Sequence, residues 1–385
     1  MKLAIIRSSA LILSGKHYNL QEVGLAKSLL SFGISTDIYL ARQETSIQKK
    51  VIEVKGNCKI RIFHLPHIRL PGKQALFPSL FHLLSDENYD VIQVHEYPMI
   101  TACLVSVFGA YNRIPVVVCQ GIYKDYKGFV SSFLQTLYDL SCLLLLRRYA
   151  SAWIAKTESA ADYLCSKGVA DVKVCPIGLD TGPLKDTGGR DSRHRFSIPQ
   201  DAKVLLYVGV IEKRRNVDFI IRLVDSLVKE EPNIYLLIVG NGPELESCKR
   251  LTRDFKLQNR VVFAGKIPQV EMPSIYNATD IFLLPSNYEI YGMVILEAMF
   301  FGVPIISTCT AGAEEIIQNG VDGILVQGVN LEGWIPPLKK LLEDISLRNK
   351  LSKNAMVSIR NRFLWERTAI KFNDVYQDLF RSHSK

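Results

Sequence analysis

The residues best placed to do chemistry are two glutamates flanking a glycine in the run Pro285-Ser-Asn-Tyr-Glu289-Ile-Tyr-Gly292-Met-Val-Ile-Leu-Glu297-Ala-Met-Phe-Phe-Gly302-Val-Pro304. The apolar stretch Ile281-Phe-Leu-Leu284 before them reads as a buried strand and the segment after Gly292 as a helix, so the polar turn joins a strand end to a helix start. First-turn amides of such a helix have no partners inside it and lie at the positive end of its dipole. The backbone at Ile290, Tyr291, Gly292, Met293 and Val294 is therefore a seat for phosphate oxygens, and Gly292 lets the phosphate come close. Glu297 falls in the second turn, roughly 8 Å along the axis from those amides at ~1.5 Å per residue. That is about the span from a diphosphate to the hydroxyls of an attached ribose, which a carboxylate could accept. Glu289, ahead of the helix, would lie on the other side of the diphosphate, where a sugar carried by the nucleotide would sit. Taken singly, Glu289 reads as a charge on a helix dipole and Glu297 as an exposed helical side chain.

Positive charge gathers in Val208-Gly209-Val-Ile-Glu212-Lys213-Arg214-Arg215-Asn216, after another buried strand. Cations at a helix start are disfavoured unless an anion joins them, so Arg215, with Lys213 and Arg214 beside it, is a candidate to meet an anion; a solvated helix start is the plainer reading. Gly240-Asn-Gly242-Pro243 holds two of the three glycines of a dinucleotide fingerprint and reads as a tight strand-to-helix turn. Lys266-Ile267, after the strand ending at Gly265, is a candidate shelf for a base. In the first half, Gly15 offers close backbone approach to a phosphate. His95, in Val94-His-Glu-Tyr-Pro98, either lines a cleft or is a satisfied buried histidine. Gln120, at the end of Val118-Cys-Gln-Gly121, can hydrogen-bond a sugar hydroxyl but cannot exchange a proton near neutral pH.

Together these residues resemble the E-x7-E motif of the retaining glycosyltransferases built from two facing Rossmann-like domains, the GT-B architecture, and in particular glycosyltransferase family 4 (group 1). Glu289 and Glu297 match the motif's glutamates and Gly292 its internal glycine. Gly302-Val-Pro304, Ala311-Gly-Ala-Glu-Glu315 and Asn319-Gly-Val-Asp-Gly323 are similar to its flanks, and the similarity runs over nearly all of residues 1 to 380. The turn at Val208-Gly209 resembles the family's phosphate-binding turn, in which an Arg follows the Gly and a Lys, the second cation, stands six residues beyond that Gly. Here Arg215 is the second cation and Val210 replaces the first. Gly15 stands alone in place of a double-glycine loop, and Gln120 stands where many relatives carry a His that touches the donor sugar.

The resemblance implies transfer of a sugar from a nucleotide-diphosphate donor to an acceptor hydroxyl with retention of anomeric configuration, in cell-envelope polysaccharide or glycolipid synthesis. It implies catalytic roles for Glu289, Arg215 and Gln120, donor contacts at Gly15, Lys213, Lys266, Ile290, Tyr291, Gly292, Met293, Val294 and Glu297, and an acceptor-side place for His95. No cofactor or metal is called for, since helix amides and cations take up the phosphate charge. Val210 and Gln120 suggest an alternative, a catalytically silent sugar-binding or scaffold protein of the same fold. A dinucleotide-dependent oxidoreductase would need G-x-G-x-x-G after the first strand, which Arg7-Ser-Ser-Ala-Leu-Ile-Leu-Ser-Gly15 does not supply.

Positioning such loops requires parallel sheets, because ligands of open α/β sheets sit at the carboxyl ends of the strands. Short apolar runs alternate with helix-period segments throughout, with strands expected near 2–6, 35–40, 60–63, 90–94, 115–119, 151–155 and 172–175, and again near 204–209, 234–240, 261–263, 281–284, 304–306 and 323–326. The segment from about Thr181 to Gln200 lacks a period and reads as a linker or long loop. The expectation is an α/β chain of two facing doubly wound Rossmann-like domains with an interdomain cleft: residues 1–182 on the acceptor side, 183–365 on the nucleotide-sugar side, and 366–385 crossing back as a helix. A length of 385 residues with 48% hydrophobic and 22% charged residues fits two cores of ordinary composition.

The net charge of +9 leans to the first half, where residues 1 to 182 hold 20 basic and 14 acidic side chains, but no Lys/Arg block interleaved with aromatics marks a nucleic-acid groove. The partners expected are the donor and a glycan or lipid-linked acceptor. Eight scattered cysteines without a C-x-x-C pair read as reduced core residues of a cytoplasmic protein. Residues 129–149 are strongly apolar and end in Arg147 and Arg148. Asp139 and Gln135 favour a core helix there, with a peripheral contact on the inner face of the cell membrane as the other reading.

Overall fold

The computed structural model describes residues 1–10, 19–125, 129–185 and 192–383. They form two compact units. One contains the first strand, Leu20–Gly178 and the chain from Trp365 onward; the other is Leu179–Leu364. These boundaries lie beside the expected divisions at 182/183 and 365/366.

In the first unit the strands are β1 (Lys2–Ile6), β2 (Ser35–Arg42), β3 (Gln48–Lys55), β4 (Cys58–Pro66), a small antiparallel pair β5 (Ile68–Leu70) and β6 (Gln74–Leu76), then β7 (Val91–His95), β8 (Val116–Gln120), β9 (Ala152–Ala155) and β10 (Val172–Val174). The large sheet runs β10-β9-β8-β7-β1-β2-β4-β3, parallel except where β3 closes the edge on β4. Leu3 to Ile6 and every residue of β7 and β8 are buried, the polar Gln93, His95 and Gln120 among them, as strands covered on both faces require. The helix after β1 spans Gln21–Leu29, continues as a short 3-10 turn and stops at Gly33 in the left-handed conformation.

The second unit holds β11 (Lys203–Val208), β12 (Ile234–Val239), β13 (Val261–Gly265), β14 (Ile281–Leu284), β15 (Ile305–Thr308) and β16 (Ile324–Val326). They form one parallel sheet ordered β13-β12-β11-β14-β15-β16. The order reverses between β11 and β14, a switch point of the kind at whose carboxyl ends open α/β sheets bind ligands. The helix Val217–Leu227 buries Val217, Ile220, Ile221, Val224 and Leu227 along one face, and Phe219 meets the fully buried Trp334 edge-on.

Past the second unit the chain returns to the first as the helix Trp365–His383. Its first residue fills the space left by Gly24, where a Cβ would come within 2.0 Å of the Trp365 ring nitrogen. Farther along, the Tyr376 hydroxyl donates to Gln93 Oε1 at 2.5 Å.

Three expectations change. β3 was not foreseen, because an edge strand exposed on both faces carries no apolar alternation to read. The stretch 181–200 is not purely irregular: it contains a 3-10 turn at Gly182–Leu184 and a four-residue helix at Ser192–Arg195. The helix Phe129–Tyr149 is not the core helix that Asp139 and Gln135 favoured. Gln135 is buried and Asp139 bonds inward, while Phe133, Leu137, Leu140 and Leu144 face solvent.

Candidate active site

The two loops at the switch point of the second unit are sewn together. Leaving β11, the turn Lys213–Arg215 ends at Asn216, whose left-handed backbone (φ 51°) redirects the chain into the next helix. Asn216 Nδ2 donates to Pro285 O at 2.7 Å, Asn287 N donates to Arg214 O at 2.9 Å, and Arg214 Nη1 donates to Tyr288 O at 2.6 Å. From the neighbouring strand the hydroxyls of Ser307 and Thr308 donate to Leu284 O at 3.2 and 3.3 Å, and Thr308 also to Ser286 O. The result is a rigid frame in which Arg215 meets Glu289. Arg215 Nη1 and Glu289 Oε1 form an ion pair, with Ser286 Oγ accepting from the same guanidinium at 3.4 Å, and Glu289 is only 5% exposed.

Arg214 is spent on structure, since its Nε also pairs with Glu212 at 2.7 Å. Lys213 is exposed at the head of the turn. Val210, where a cation is missing, is half exposed, and its carbonyl accepts from the Tyr207 hydroxyl at 2.9 Å. Lys266 is exposed just past β13, while Ile267 beside it is buried. The Gly240–Gly242 turn packs closely on the β11 loop: a Cβ at Gly240 would lie 1.8 Å from Gly209 O.

The helix after β14 begins at Met293 and runs to Phe300, capped by Gly292 in the left-handed region (φ 86°). A side chain at 292 would be strained, and the first-turn amides of Met293 and Val294 have no acceptor within the helix. Tyr291 is buried and Ile290 half-buried at this turn. A residue the sequence reading passed over fixes its position. Gly312, second in the helix Ala311–Ile316, lies against the Tyr291 backbone so closely that a Cβ would fall 2.4 Å from Tyr291 O, and its amide donates to Glu289 O at 3.3 Å. The Ala-Gly-Ala pattern was the available signal.

Glu297 is buried in the second turn, not exposed as its plainer reading would have it. Gln269 Nε2 donates to its Oε1 and the Tyr276 hydroxyl to its Oε2, each at 2.8 Å. Burial pushes its carboxyl up to about 7, against the two hydrogen bonds that favour the charged form. Each carboxylate oxygen keeps a lone pair for one further donor. Gln269 and Tyr276 lie in the segment after β13 and carried no sequence signal, because nothing in their spacing ties them to a glutamate on another element.

The first unit assigns its candidates differently. Gln120 is fully buried, and its amide is engaged at both ends by main chain: Oε1 accepts from Tyr97 N at 2.9 Å, and Nε2 donates to Ile122 O at 2.8 Å. Reciprocally, Glu96 Oε2 accepts from Gly121 N and Ile122 N at 3.0 and 3.1 Å. Gln120 therefore clamps the loops after β7 and β8 to each other, a positioning task that engages its carbonyl oxygen and one of its two amide hydrogens.

His95 is buried, and it also lines a small cavity in the first unit with Gln21, Glu22, Gln93, Lys156 and Phe372. Because Gln93 Oε1 accepts from Tyr376, Gln93 Nε2 is left to donate to His95 Nε2 at 2.9 Å, and His95 Nδ1 carries the proton toward Glu22 Oε1 at 3.6 Å. Burial, with Lys156 and Arg7 nearby, lowers His95 to about 4 despite Glu22, so it is neutral near pH 7. Glu22 is held at about 2 against its burial by Arg7 and other cationic neighbours. Gly15 lies outside the described residues.

Residues 190–357, which contain Arg215, Glu289 and Glu297, match the family model described as glycosyl transferases group 1. Over 93% of its length the chain is 26% identical to the D-inositol 3-phosphate glycosyltransferase of a Nocardioides species, covering 84% of that protein. It is 30% identical to the N-acetyl-alpha-D-glucosaminyl L-malate synthase of Bacillus anthracis, with 80% of this chain and 86% of the other aligned. Among solved structures it resembles Anabaena HepE in complex with UDP, with a TM-score of 0.76 at 17% identity over 98% of this chain and 100% of that one. Its fold of two Rossmann-like domains is that of the GT-B glycosyltransferases. With 86% of a relative covered at 30% identity, and with Arg215 and Glu289 paired where the loops after β11 and β14 meet, the chain belongs to the group 1 family of glycosyltransferases.

Proposed function

We propose that this chain transfers a sugar from a nucleoside-diphosphate sugar to an acceptor hydroxyl with retention of configuration, and that the second unit holds the donor. The observation that carries the reading is the meeting of Arg215 and Glu289 beside the open first turn of Met293–Phe300. The diphosphate lies on the Met293 and Val294 amides, where the helix dipole and Arg215 offset its charge. Binding draws Arg215 from its partner to the phosphate and frees the Glu289 carboxylate for sugar hydroxyls, while Glu297 accepts the ribose hydroxyls. The anomeric carbon–oxygen bond to phosphate breaks, the acceptor oxygen bonds the same face of that carbon, and its proton passes to the departing diphosphate. Lys213 and Lys266, both exposed at the rim, flank the donor. The phosphate charge is met without a metal, so turnover should survive a chelator. We assign the acceptor to envelope glycans or glycolipids, a class supported by the positive balance of the first half.

A thermal-shift panel of uridine, guanosine and adenosine diphosphates and their sugars tests this. One nucleotide series should raise the melting temperature, and its sugar nucleotide should be hydrolysed slowly without acceptor. Absence of any stabilising nucleotide overturns the reading; stabilisation without turnover favours the silent binding module.

Gly312→Ala gives a test that leaves the reacting groups in place. Its new methyl displaces the Tyr291–Gly292 turn from the backbone side, and a shift of an ångström at a phosphate seat costs about tenfold to a hundredfold in donor KM. A variant with unchanged donor KM and an unchanged melting temperature would show that this contact does not set the turn.

A further inference from the structure

We propose that the two-helix face formed by Ile100–Asn112 and Phe129–Tyr149 in the first unit docks on an anionic lipid surface, a contact that goes beyond the transfer reaction and does not depend on it. The observation is the inverted polarity of the second helix. Its buried side carries Gln135, which donates to the Tyr97 hydroxyl at 3.0 Å, and Asp139, which pairs with Lys167 at 2.7 Å. Its solvent side carries Phe133, Leu137, Leu140 and Leu144 at exposures of 61, 55, 68 and 56%. Their spacing of four, three and four places them on one stripe. The adjoining helix, packed against it, also exposes Leu104, Val107 and Tyr111, the last 88% exposed. Contiguous apolar patches of this kind mark contact surfaces, whereas single exposed leucines do not.

Two further features identify the occupant. The hydroxyls of Thr136 and Ser141 within the stripe donate to Ser132 O and Leu137 O of their own helix at 3.0 and 2.8 Å, so neither donor is orphaned when the face leaves water. Both helices connect parallel neighbours, β7 to β8 and β8 to β9, and so return antiparallel to the sheet with their carboxyl ends at one edge. At that edge stand the exposed cations Arg113, Arg147 and Arg148. The single acid in the two helices, Asp139, is turned inward. An apolar stripe with a cationic edge and no outward carboxylate matches acyl chains beneath anionic headgroups. A second copy of the face would bring more cations and no acid to meet them. None of the described helices is long and apolar enough to cross a membrane, so the contact is peripheral.

Flotation of the full chain with phosphatidylglycerol-rich vesicles, against pure phosphatidylcholine vesicles, tests the proposal. The chain should float with the first, and less so as salt is raised. Leu137→Glu/Leu140→Glu should weaken binding about tenfold or more, and Arg113→Glu/Arg148→Glu several-fold on anionic vesicles only. Both pairs are exposed; a melting temperature and donor hydrolysis equal to the parent's show that the variants are folded. The idea is overturned if the parent ignores anionic vesicles, if either pair binds like the parent, or if sedimentation shows a dimer that Leu137→Glu/Leu140→Glu dissolves while vesicles capture nothing. Loss of vesicle binding with hydrolysis intact separates this inference from the transferase reading.

Discussion

Arg215→Ala should lower kcat with the sugar nucleotide by about a hundredfold to a thousandfold, the scale on which a preorganised donor to a developing anion contributes. No neighbour replaces it. Arg214 is held by Glu212 and the Tyr288 carbonyl, Lys213 is exposed at the head of the turn and lacks the half-buried place of Arg215 beside Glu289, and Val210 has no charge to give. The same change should also destabilise the unliganded protein, because Glu289 then keeps a buried carboxylate without its cation, a situation that costs about 3–5 kcal/mol. Arg215→Ala/Glu289→Ala removes both charges and should recover most of that stability while leaving turnover at the lower level. Steady-state kinetics and melting temperatures of the three proteins check both statements. An Arg215→Ala enzyme turning over within tenfold of the parent would remove leaving-group stabilisation from this side chain.

The parts legible in the sequence were those with a local physical cause. Parallel strands buried on both faces wrote themselves as apolar runs, and the helix starting after Gly292 was marked by a strand end, a polar turn and a glycine. The Glu289–Arg215 ion pair was legible only as two separate charges, because the strand order that makes β11 and β14 neighbours is a property of the sheet. Gln120 was read from its type, which allows a sugar contact, while the partners it has are main-chain groups of the preceding and following loops, invisible to side-chain chemistry. The helix Phe129–Tyr149 misled for a related reason. A buried glutamine and aspartate are tolerable only with partners, and those partners, Tyr97 and Lys167, come from other elements. Gln269 and Tyr276 were unreadable on the same ground, although they decide the state of Glu297.

That state gives the second large effect. Glu297 titrates near 7 in the folded protein and near 4.5 when unfolded, so between these values the folded form binds more protons, and stability falls as pH rises through that window. Above pH 7 the folded protein carries the whole cost, about 3 kcal/mol. Glu297→Gln cannot ionise. Once the Tyr276 hydroxyl turns to accept from the new amide, the variant should be more stable than the parent by about 2 kcal/mol at pH 8 and nearly equal to it at pH 4.5. Donor affinity should move the other way. An ionised carboxylate accepts ribose hydroxyls more strongly than an acid or amide, so the parent should bind its sugar nucleotide more tightly as pH rises through about 7. The variant should bind about tenfold more weakly and without that pH dependence. A sugar nucleotide is the right probe because its diphosphate has no group titrating in this range. Stability gained together with affinity lost is what a buried charge kept for a ligand must show. A glutamate that merely braces Gln269 and Tyr276 would give the stability gain alone, with donor affinity flat from pH 6 to 8.5 in both proteins, and that outcome would transfer ribose recognition to other groups.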